Sequence, residues 1–174
     1  PPWKILISDD DQEVHDITKL VLDDYEFDNR ELVILSAYTG EETNQIIRKN
    51  PDIAIILLDV VMETENAGLD VVRFIREELK NHFVRIILRT GQPGMAPERT
   101  VVMKYDINDY KEKTELTAQK LFTAITASLR AFRDIKIIDK NRRGLELIVS
   151  SSEQLYTSQR IISFSESVLT QLIS

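Results

Sequence analysis

No cysteine occurs among the 174 residues, and histidine is present only twice. The first absence excludes a disulfide framework and any metal site built on thiolates. The scarcity of imidazole leaves oxygen as the default ligand for any metal ion that this chain binds. A metal site here is therefore expected to use hard oxygen ligands such as carboxylates.

An excess of positive charge and long apolar runs are also missing. The chain has 29 acidic and 22 basic residues, for a net charge of -7, which argues against direct binding to nucleic acid or to an anionic membrane surface. No apolar stretch approaches the roughly 20 residues of a membrane span, and no charged and then apolar leader opens the chain. We therefore expect a soluble, cytoplasmic protein with a protein or a small cation as its partner.

Strand-sized apolar runs alternate with helical stretches over the first 115 residues. With 43% hydrophobic residues, the chain can bury one good core and carry an appendage. The run from Ile53 to Leu58 has no polar alternation, as expected for a strand covered on both faces of a parallel sheet. The pattern predicts an α/β fold: a doubly wound, five-stranded parallel sheet with right-handed crossovers.

Reactive residues follow or close four of these apolar runs. In an open α/β sheet, ligands and reactive groups gather at the carboxyl ends of the strands. We therefore expect three carboxylates, a hydroxyl and an ammonium to meet at one rim of the sheet, although they are far apart in sequence. These residues are Asp9, Asp10, Asp59, Thr90 and Lys113.

The first helix illustrates the local predictions. Asp10 or Asp11 is expected to cap it, and His15 is expected on its exposed side. Two arginines that flank a later strand, Arg85 and Arg89, are assigned no role. The apolar stripe expected to face the core consists of Val14, Ile17, Leu20 and Val21.

Strands cease after residue 115, and a long helical pattern continues toward the end of the chain. Gly144, next to a polar run, is predicted to end or hinge this helix, because glycine costs about 1 kcal/mol relative to alanine within a helix. Residues 127–174 cannot build a core alone, so they must pack on a twin chain, on the preceding domain or on further sequence. We predict a domain over residues 1–126 and a helical extension over 127–174 that starts a second domain.

Four motifs carry a resemblance to a known family. They are Ile5–Asp11 (ILISDDD), Leu57–Met62 (LLDVVM), Leu88–Gly91 (LRTG) and Asn108–Lys113 (NDYKEK). With these motifs at the ends of successive strands, residues 1 to about 126 resemble a receiver domain of a bacterial two-component response regulator. The resemblance implies the flavodoxin-like (βα)5 form of the predicted sheet.

The resemblance assigns the acidic residues and one backbone group. Asp59 would be the phosphoacceptor, and Asp9 and Asp10 would form the metal-binding pair. Together with Asp59 and the backbone carbonyl of Val61, this pair would hold Mg²⁺. Mg²⁺ suits a few hard oxygens and an incoming phosphate.

The remaining roles concern the phosphoryl group and the switch. Thr90 and Lys113 would contact the phosphoryl group, and Thr90 and Tyr110 would switch together. Gln92 would tune hydrolysis. The resemblance further implies a sensor histidine kinase or phosphotransfer protein as the donor, with Mg²⁺ as the cofactor. Such a domain catalyses its own phosphorylation and dephosphorylation rather than the turnover of an external substrate.

Phosphorylation would remodel the face made by the fourth helix, fifth strand and fifth helix. This face would then control dimerisation or a downstream output domain, and we expect a homodimer through the fifth helix and its extension. The phrases Gln92–Gly94 and Tyr105–Ala118 also resemble a narrower subfamily. In that subfamily a receiver precedes a sensor-like domain of unknown function and often an HD-type cyclic-dinucleotide phosphodiesterase.

Two alternatives remain open from the sequence. Receivers usually have proline after the lysine, whereas Thr114 follows Lys113 here, so a pseudo-receiver that acts only as a binding and dimerisation module is one alternative. A dehalogenase-like phosphatase also uses a strand-end aspartate and Mg²⁺. Its acids follow an Asp-x-Asp arrangement, however, and the adjacent Asp9 and Asp10 have a different spacing.

Overall fold

The computed structural model describes the backbone of residues 1–91, 99–113 and 117–173. Gln92 and Thr114, on which two of the predictions depend, lie outside these residues. The chain divides into two compact units, Pro1–Arg133 and Asp134–Ser174.

The first unit is built on one six-stranded sheet. Its order is β2-β3-β1-β4-β5-β6, and every neighbouring pair is parallel except β2 with β3. The five parallel strands confirm the predicted doubly wound sheet. The strands are β1 (Trp3–Ser8), β2 (Glu26–Phe27), β3 (Arg30–Ala37), β4 (Ile53–Asp59), β5 (Arg85–Thr90) and β6 (Asp109–Glu112).

The short antiparallel strand β2 was not predicted from the sequence. It pairs with the start of β3 through a two-residue turn at Asp28 and Asn29, whose φ angles are 52° and 55°. Positive φ at both central residues is the geometry of a tight hairpin turn, and Asn and Asp tolerate it better than most residues. The hairpin therefore extends the edge of the sheet without changing the parallel order.

In the part of the chain that the structure describes, five α-helices connect or follow the strands. Asp11 caps the first by accepting a hydrogen bond from the Glu13 N–H, as predicted, and Thr39 caps the second in the same way through Glu42. The third continues directly into a π-helical turn, Phe74–Glu78. The helices are α1 (Gln12–Val21), α2 (Gly40–Lys49), α3 (Ala67–Arg73), α4 (Arg99–Lys104) and α5 (Ala118–Ile173).

The sheet separates two apolar clusters, one on each face. Alternate residues of the central strands enter opposite clusters, as the period of two in a β-strand requires. Leu58 of β4 lies in one cluster with Val72 and Ile75, whereas its neighbour Leu57 lies in the other with Ile125. Because both faces are covered, the central strands hold the reactive residues of the rim on a rigid support.

Helix α1 does not bury the predicted stripe. Ile17 and Leu20 are 61% and 78% exposed, whereas His15 and Thr18 are buried. His15 Nε2 donates to the backbone carbonyl of Asp9 at 2.8 Å, so the prediction of a solvated histidine was wrong. The polar face is buried because its groups find hydrogen-bond partners there, which removes the cost of burying them.

The first part of α5 packs on the sheet. Leu121, Ile125, Leu129 and Phe132 are buried, and Phe132 meets Trp3 edge-on with ring centroids 6.2 Å apart. These residues recur at helical spacing and supply one face of the second apolar cluster. This confirms the prediction that the opening turns of the last helix cover the sheet.

In the second unit the helix continues through Gly144, so the predicted end or hinge there was wrong. Ion pairs support the exposed helix on both sides of this glycine: Arg142 pairs with Asp139 and Glu146. Apolar side chains are nevertheless exposed along it, including Ile138 at 65% and Ile148 at 64%. Among the described residues of the whole chain, no helix combines the length and apolarity that crossing a membrane requires.

Candidate functional site

Asp9 and Asp59 come together because β1 and β4 are adjacent parallel strands. Ser8 pairs in register with Leu58, so the residue that follows each of them lies at the same rim of the sheet. Asp9 is fully buried and Asp59 is 4% exposed, whereas Asp10 is exposed to solvent. The rim thus carries two buried carboxylates and one accessible carboxylate.

Lys113, which directly follows β6, reaches across to these acids. Its Nζ lies 2.7 Å from Asp59 Oδ2 and 3.0 Å from Asp9 Oδ1. Asp59 Oδ1 also accepts a hydrogen bond from the Val61 N–H at 3.3 Å. One ammonium therefore bridges the two buried carboxylates, which are 50 residues apart in sequence.

The electrostatics of Asp59 and Lys113 reflect this crowding. Burial raises the pKa of Asp59 above its ordinary value and Asp9 adds to the rise, although the Lys113 hydrogen bond opposes it. Burial alone would lower the pKa of Lys113, but its hydrogen bonds to Asp59 and Asp9 outweigh burial and raise that pKa. Lys113 consequently stays charged and bridges the two acids. The ionised form of Asp59 remains disfavoured by its burial.

The three carboxylates also fit a small divalent cation. One oxygen from each of Asp9, Asp10 and Asp59 can be chosen so that all three lie within 4.8 Å of one another. Oxygens around a Mg²⁺ ion lie about 2.1 Å from the metal, and hence at most about 4.2 Å apart. Small side-chain movements would bring this set to that spacing, and carboxylates are the ligand chemistry that Mg²⁺ prefers.

Thr90 and Tyr110 lie next to this rim on neighbouring strands. Thr90 ends β5 and is buried, and Tyr110 is half-buried against the apolar cluster on one face. Burial raises the pKa of Tyr110, while a side-chain hydrogen bond with Thr90 opposes the rise. The two residues predicted to switch together therefore lie on adjacent strands, close enough for Thr90 to influence the Tyr110 hydroxyl.

Gly68 allows the loop after Asp59 to return tightly to the sheet. Its N–H donates to the Val60 carbonyl at 3.1 Å, and a Cβ placed on it would lie 2.0 Å from the backbone oxygen of Asp59. No side chain fits at that distance, so a glycine is required there for the close approach. Gly68 was assigned no role from the sequence, although a glycine in the loop that follows Asp59 is a usable signal.

Arg89 and His15 are two further residues that sequence reasoning missed. Arg89 is buried beside the acids, with Nη2 3.3 Å from Asp9 Oδ2 and Nη1 3.2 Å from Thr18 Oγ1. His15 Nδ1 lies 3.1 Å from Ser36 Oγ, and its Nε2 supports the Asp9 backbone. An arginine within an apolar strand, directly before the strand-end Thr90, is a signal that could have identified the first of them.

Two family models match the chain. The response regulator receiver domain matches residues 5–126, and a domain of unknown function (DUF3369) matches residues 125–174. A 3'3'-cGAMP-specific phosphodiesterase 2 of Vibrio cholerae is 48% identical over 173 residues. That alignment covers 99% of this chain and 33% of the relative, so the chain spans about a third of the relative's length.

Solved structures agree on the fold. A receiver domain protein from Methanospirillum hungatei has a TM-score of 0.63 at 23% identity, covering 75% of this chain and 97% of that one. The N-terminal domain of a three-domain response regulator from Carboxydothermus hydrogenoformans also has a TM-score of 0.63, at 20% identity and with the same coverage. With the family match over most of its length, the chain belongs to the response regulator receiver domain family of two-component signalling.

Proposed function

We propose that Asp59 accepts a phosphoryl group from a sensor histidine kinase or phosphotransfer protein. In this proposal Asp9, Asp10, Asp59 and the Val61 carbonyl hold Mg²⁺. The observation that supports it best is the Lys113 ammonium, 2.7 Å from Asp59 and 3.0 Å from Asp9, beside a cluster of three carboxylates. Phosphoryl transfer requires such an arrangement: an oxygen nucleophile with positive charge placed close to it.

The chemical step is an in-line displacement at phosphorus. An Asp59 oxygen forms the new bond to phosphorus, while the bond to the donor's imidazole nitrogen breaks and its electron pair stays on that nitrogen. The product is an acyl phosphate. Lys113 stabilises charge on the transferring group, and Mg²⁺, when bound, supplies further positive charge to the phosphoryl oxygens. The chain acts on its own aspartate and does not turn over an external substrate.

Thr90 and Tyr110 form the proposed switch. The new phosphoryl group would draw the Thr90 hydroxyl toward it and so change the hydrogen bond that Thr90 shares with Tyr110. Tyr110 is half-buried, so it can pack more deeply once this bond changes. The movement would remodel the face formed by α4, β6 and α5 and thereby alter what that face binds.

The output is proposed from the domain arrangement and the curated relative. We assign residues 1–126 to the receiver and residues 127–174 to the start of a second domain. We also propose that the chain regulates a cyclic-dinucleotide phosphodiesterase in the cytoplasm, by analogy with the Vibrio cholerae relative, which is a 3'3'-cGAMP-specific phosphodiesterase. The activity itself would reside in sequence beyond the third of the relative that this chain matches.

Phosphorylation is tested by intact-mass spectrometry after incubation with acetyl phosphate, with Mg²⁺ or with EDTA. We expect one Mg²⁺-dependent phosphoryl adduct on the unsubstituted chain and none on Asp59→Asn. The matched control is Asp52→Asn, which removes an exposed carboxylate paired with Lys4 before the same strand and should leave the adduct intact. If rapid quenching detects no adduct on the unsubstituted chain, and beryllofluoride does not bind, the proposal is wrong and the pseudo-receiver hypothesis is favoured.

We also propose homodimerisation through α5, whose later turns form the predicted helical extension. The exposed apolar side chains of the second unit support this proposal. Ile148→Glu places a charge on this apolar surface, whereas Ser150→Glu places the same charge about 200° away around the helix. Sedimentation velocity should show a dimer that Ile148→Glu weakens and Ser150→Glu preserves. A monomer at all concentrations, with or without beryllofluoride, would contradict the dimer.

A further inference from the structure

Arg89 is an unusual residue to find at the rim of this sheet. It is 3% exposed, and its neighbours in β5 include the buried apolar residues Ile87 and Leu88. Its Nε is buried without a hydrogen-bond partner among the residues that the structure describes. A buried guanidinium that is only partly satisfied costs free energy, so its contribution to the packing alone does not explain its presence.

The Arg89 side chain contacts one of the two carboxylate oxygens that Asp9 could offer to a metal ion. Asp9 Oδ1 accepts hydrogen bonds from Lys113 Nζ at 3.0 Å and from the Asp11 N–H at 3.1 Å. The other oxygen, Oδ2, faces Arg89 Nη2 at 3.3 Å. Both oxygens of this fully buried carboxylate therefore already have cationic partners.

Arg89 also changes the charge of the site. The site contains three negative side chains, Asp9, Asp10 and Asp59. It also contains two positive side chains, Lys113 and Arg89, because arginine stays protonated in proteins. The site thus has a net charge of about -1 with the arginine and about -2 without it, counting these side chains alone. A divalent cation is attracted less strongly in the first case.

We propose that Arg89 is a built-in counter-cation that competes with Mg²⁺ for Asp9 and weakens Mg²⁺ binding before phosphorylation. The inference rests on the proposed function, in which these carboxylates bind Mg²⁺. Arg89 is here a positioning residue: it acts on the metal through Asp9 and touches neither the nucleophile nor the phosphoryl group. In the unphosphorylated chain, Mg²⁺ can then bind to Asp9 only by displacing Arg89 from this carboxylate or by sharing the carboxylate with it.

The test is isothermal titration calorimetry of Mg²⁺ into EDTA-treated chain, dialysed free of chelator, at pH 8. Arg89→Met removes the charge and keeps an unbranched side chain, and we expect about tenfold tighter Mg²⁺ binding, since one nearby charge is removed. Arg89→Lys keeps the charge and should bind Mg²⁺ within about threefold of the unsubstituted chain. Calorimetry is preferred because Trp3 lies at the opposite end of β1 and would not report directly on the rim.

The matched control is Arg85→Met, on the same strand. Arg85 is also buried, but its hydrogen bonds go to the carbonyls of His82 and Phe83, away from the acids. We expect its Mg²⁺ affinity to equal that of the unsubstituted chain. Equal or weaker binding by Arg89→Met would overturn the inference, and the proposed metal site would survive. Failure of both the unsubstituted chain and Arg89→Met, each folded, to bind Mg²⁺ would overturn the inference and the proposed metal site together.

A second measurement covers the case in which Arg89→Met does not fold. In the unsubstituted chain labelled with ¹⁵N-arginine, the Arg89 Nε–H resonance, assigned with Arg89→Lys, should shift on Mg²⁺ addition. The Nε–H groups of Arg76 and Arg85 donate to backbone carbonyls and serve as internal references that should not move. An Arg89 resonance that stays fixed while Mg²⁺ binds would refute the competition.

Discussion

Replacing Asp59 with asparagine should stabilise the receiver unit at neutral pH while it removes the proposed phosphoacceptor. Asp59 is 4% exposed and belongs to a cluster in which the oxygens of three acids lie within 4.8 Å. At an effective dielectric constant of about 20, a like-charge pair at that distance costs about 3.5 kcal/mol. The attraction of Lys113 at 2.7 Å recovers about 6 kcal/mol on the same scale.

The attraction of Lys113 therefore offsets the repulsion from Asp9, and the cost of burying the Asp59 charge remains as the largest influence on its pKa. Asparagine avoids that cost, and its one carbonyl oxygen can still accept a hydrogen bond from Lys113 or from the Val61 N–H. We expect Asp59→Asn to raise the free energy of unfolding by about 1 to 2 kcal/mol. For a chain of this size, that corresponds to an increase in Tm of roughly 2 to 8 °C.

The pH dependence provides a second, independent check. The pKa of Asp59 is raised above its ordinary value of 3.8, so the folded state retains this proton to higher pH than the unfolded state. The ionised group then destabilises the fold above its folded pKa and has no such effect below 3.8. The advantage of Asp59→Asn should accordingly be complete above the raised pKa of the folded state and shrink as the pH falls through that pKa toward 3.8.

The assay is thermal unfolding in EDTA, followed by fluorescence of the single tryptophan, Trp3, which is buried in the receiver unit. Asp52→Asn is the control, because it removes an exposed ion pair and should change stability by less than about 1 kcal/mol. A Tm for Asp59→Asn at or below that of the unsubstituted chain at pH 8 would refute the electrostatic reasoning. An advantage that did not vary with pH would refute its assignment to the Asp59 charge.

Three further predictions concern the support of the site. Gly68→Ala should lower the free energy of unfolding, measured by chemical denaturation, by at least about 2 kcal/mol and should slow phosphorylation, because the new Cβ would overlap the Asp59 backbone. Gly40→Ala should cost less, because its Cβ would meet mainly the Glu63 side chain at 3.0 Å. Arg76→Met should lower the free energy of unfolding by about 3 kcal/mol or more in the same assay, because this buried side chain donates to four backbone carbonyls. The surface variant Arg73→Met is the control and should be nearly neutral. His15→Leu should cost about 1 to 3 kcal/mol by leaving the Asp9 carbonyl without its imidazole donor, and full stability would show that this bond contributes nothing.

Much of the fold was predictable because strand period and burial leave a direct mark on the sequence. The run Ile53 to Leu58 is apolar without alternation, and the structure buries it on both faces of the sheet. The gathering of Asp9, Asp59 and Lys113 followed from parallel topology alone, since such strands end at one rim. Their roles in phosphoryl transfer stay predictions.

The misses have identifiable physical causes. His15 was placed in solvent because helical patterning ranks a polar residue as exposed, whereas its hydrogen bonds to Asp9 and Ser36 allow its burial. Gly144 was read as a break because propensity is a local quantity of only about 1 kcal/mol, which surrounding interactions can exceed. Arg89 pairs with a residue 80 positions earlier; its place within an apolar strand marks it as unusual, but no local pattern identifies its partner.

The central claim, that Asp59 is the phosphoacceptor, is tested most directly by locating the phosphoryl group. Acyl phosphate formed with acetyl phosphate and Mg²⁺ is reduced with borohydride, which converts the modified aspartate to homoserine. Cleavage after Lys49 and Arg73 then releases a peptide that contains Asp52, Asp59 and Asp70 for fragmentation. We predict homoserine at position 59 alone. Homoserine at position 9, 10, 52 or 70 with Asp59 unmodified would contradict the claim.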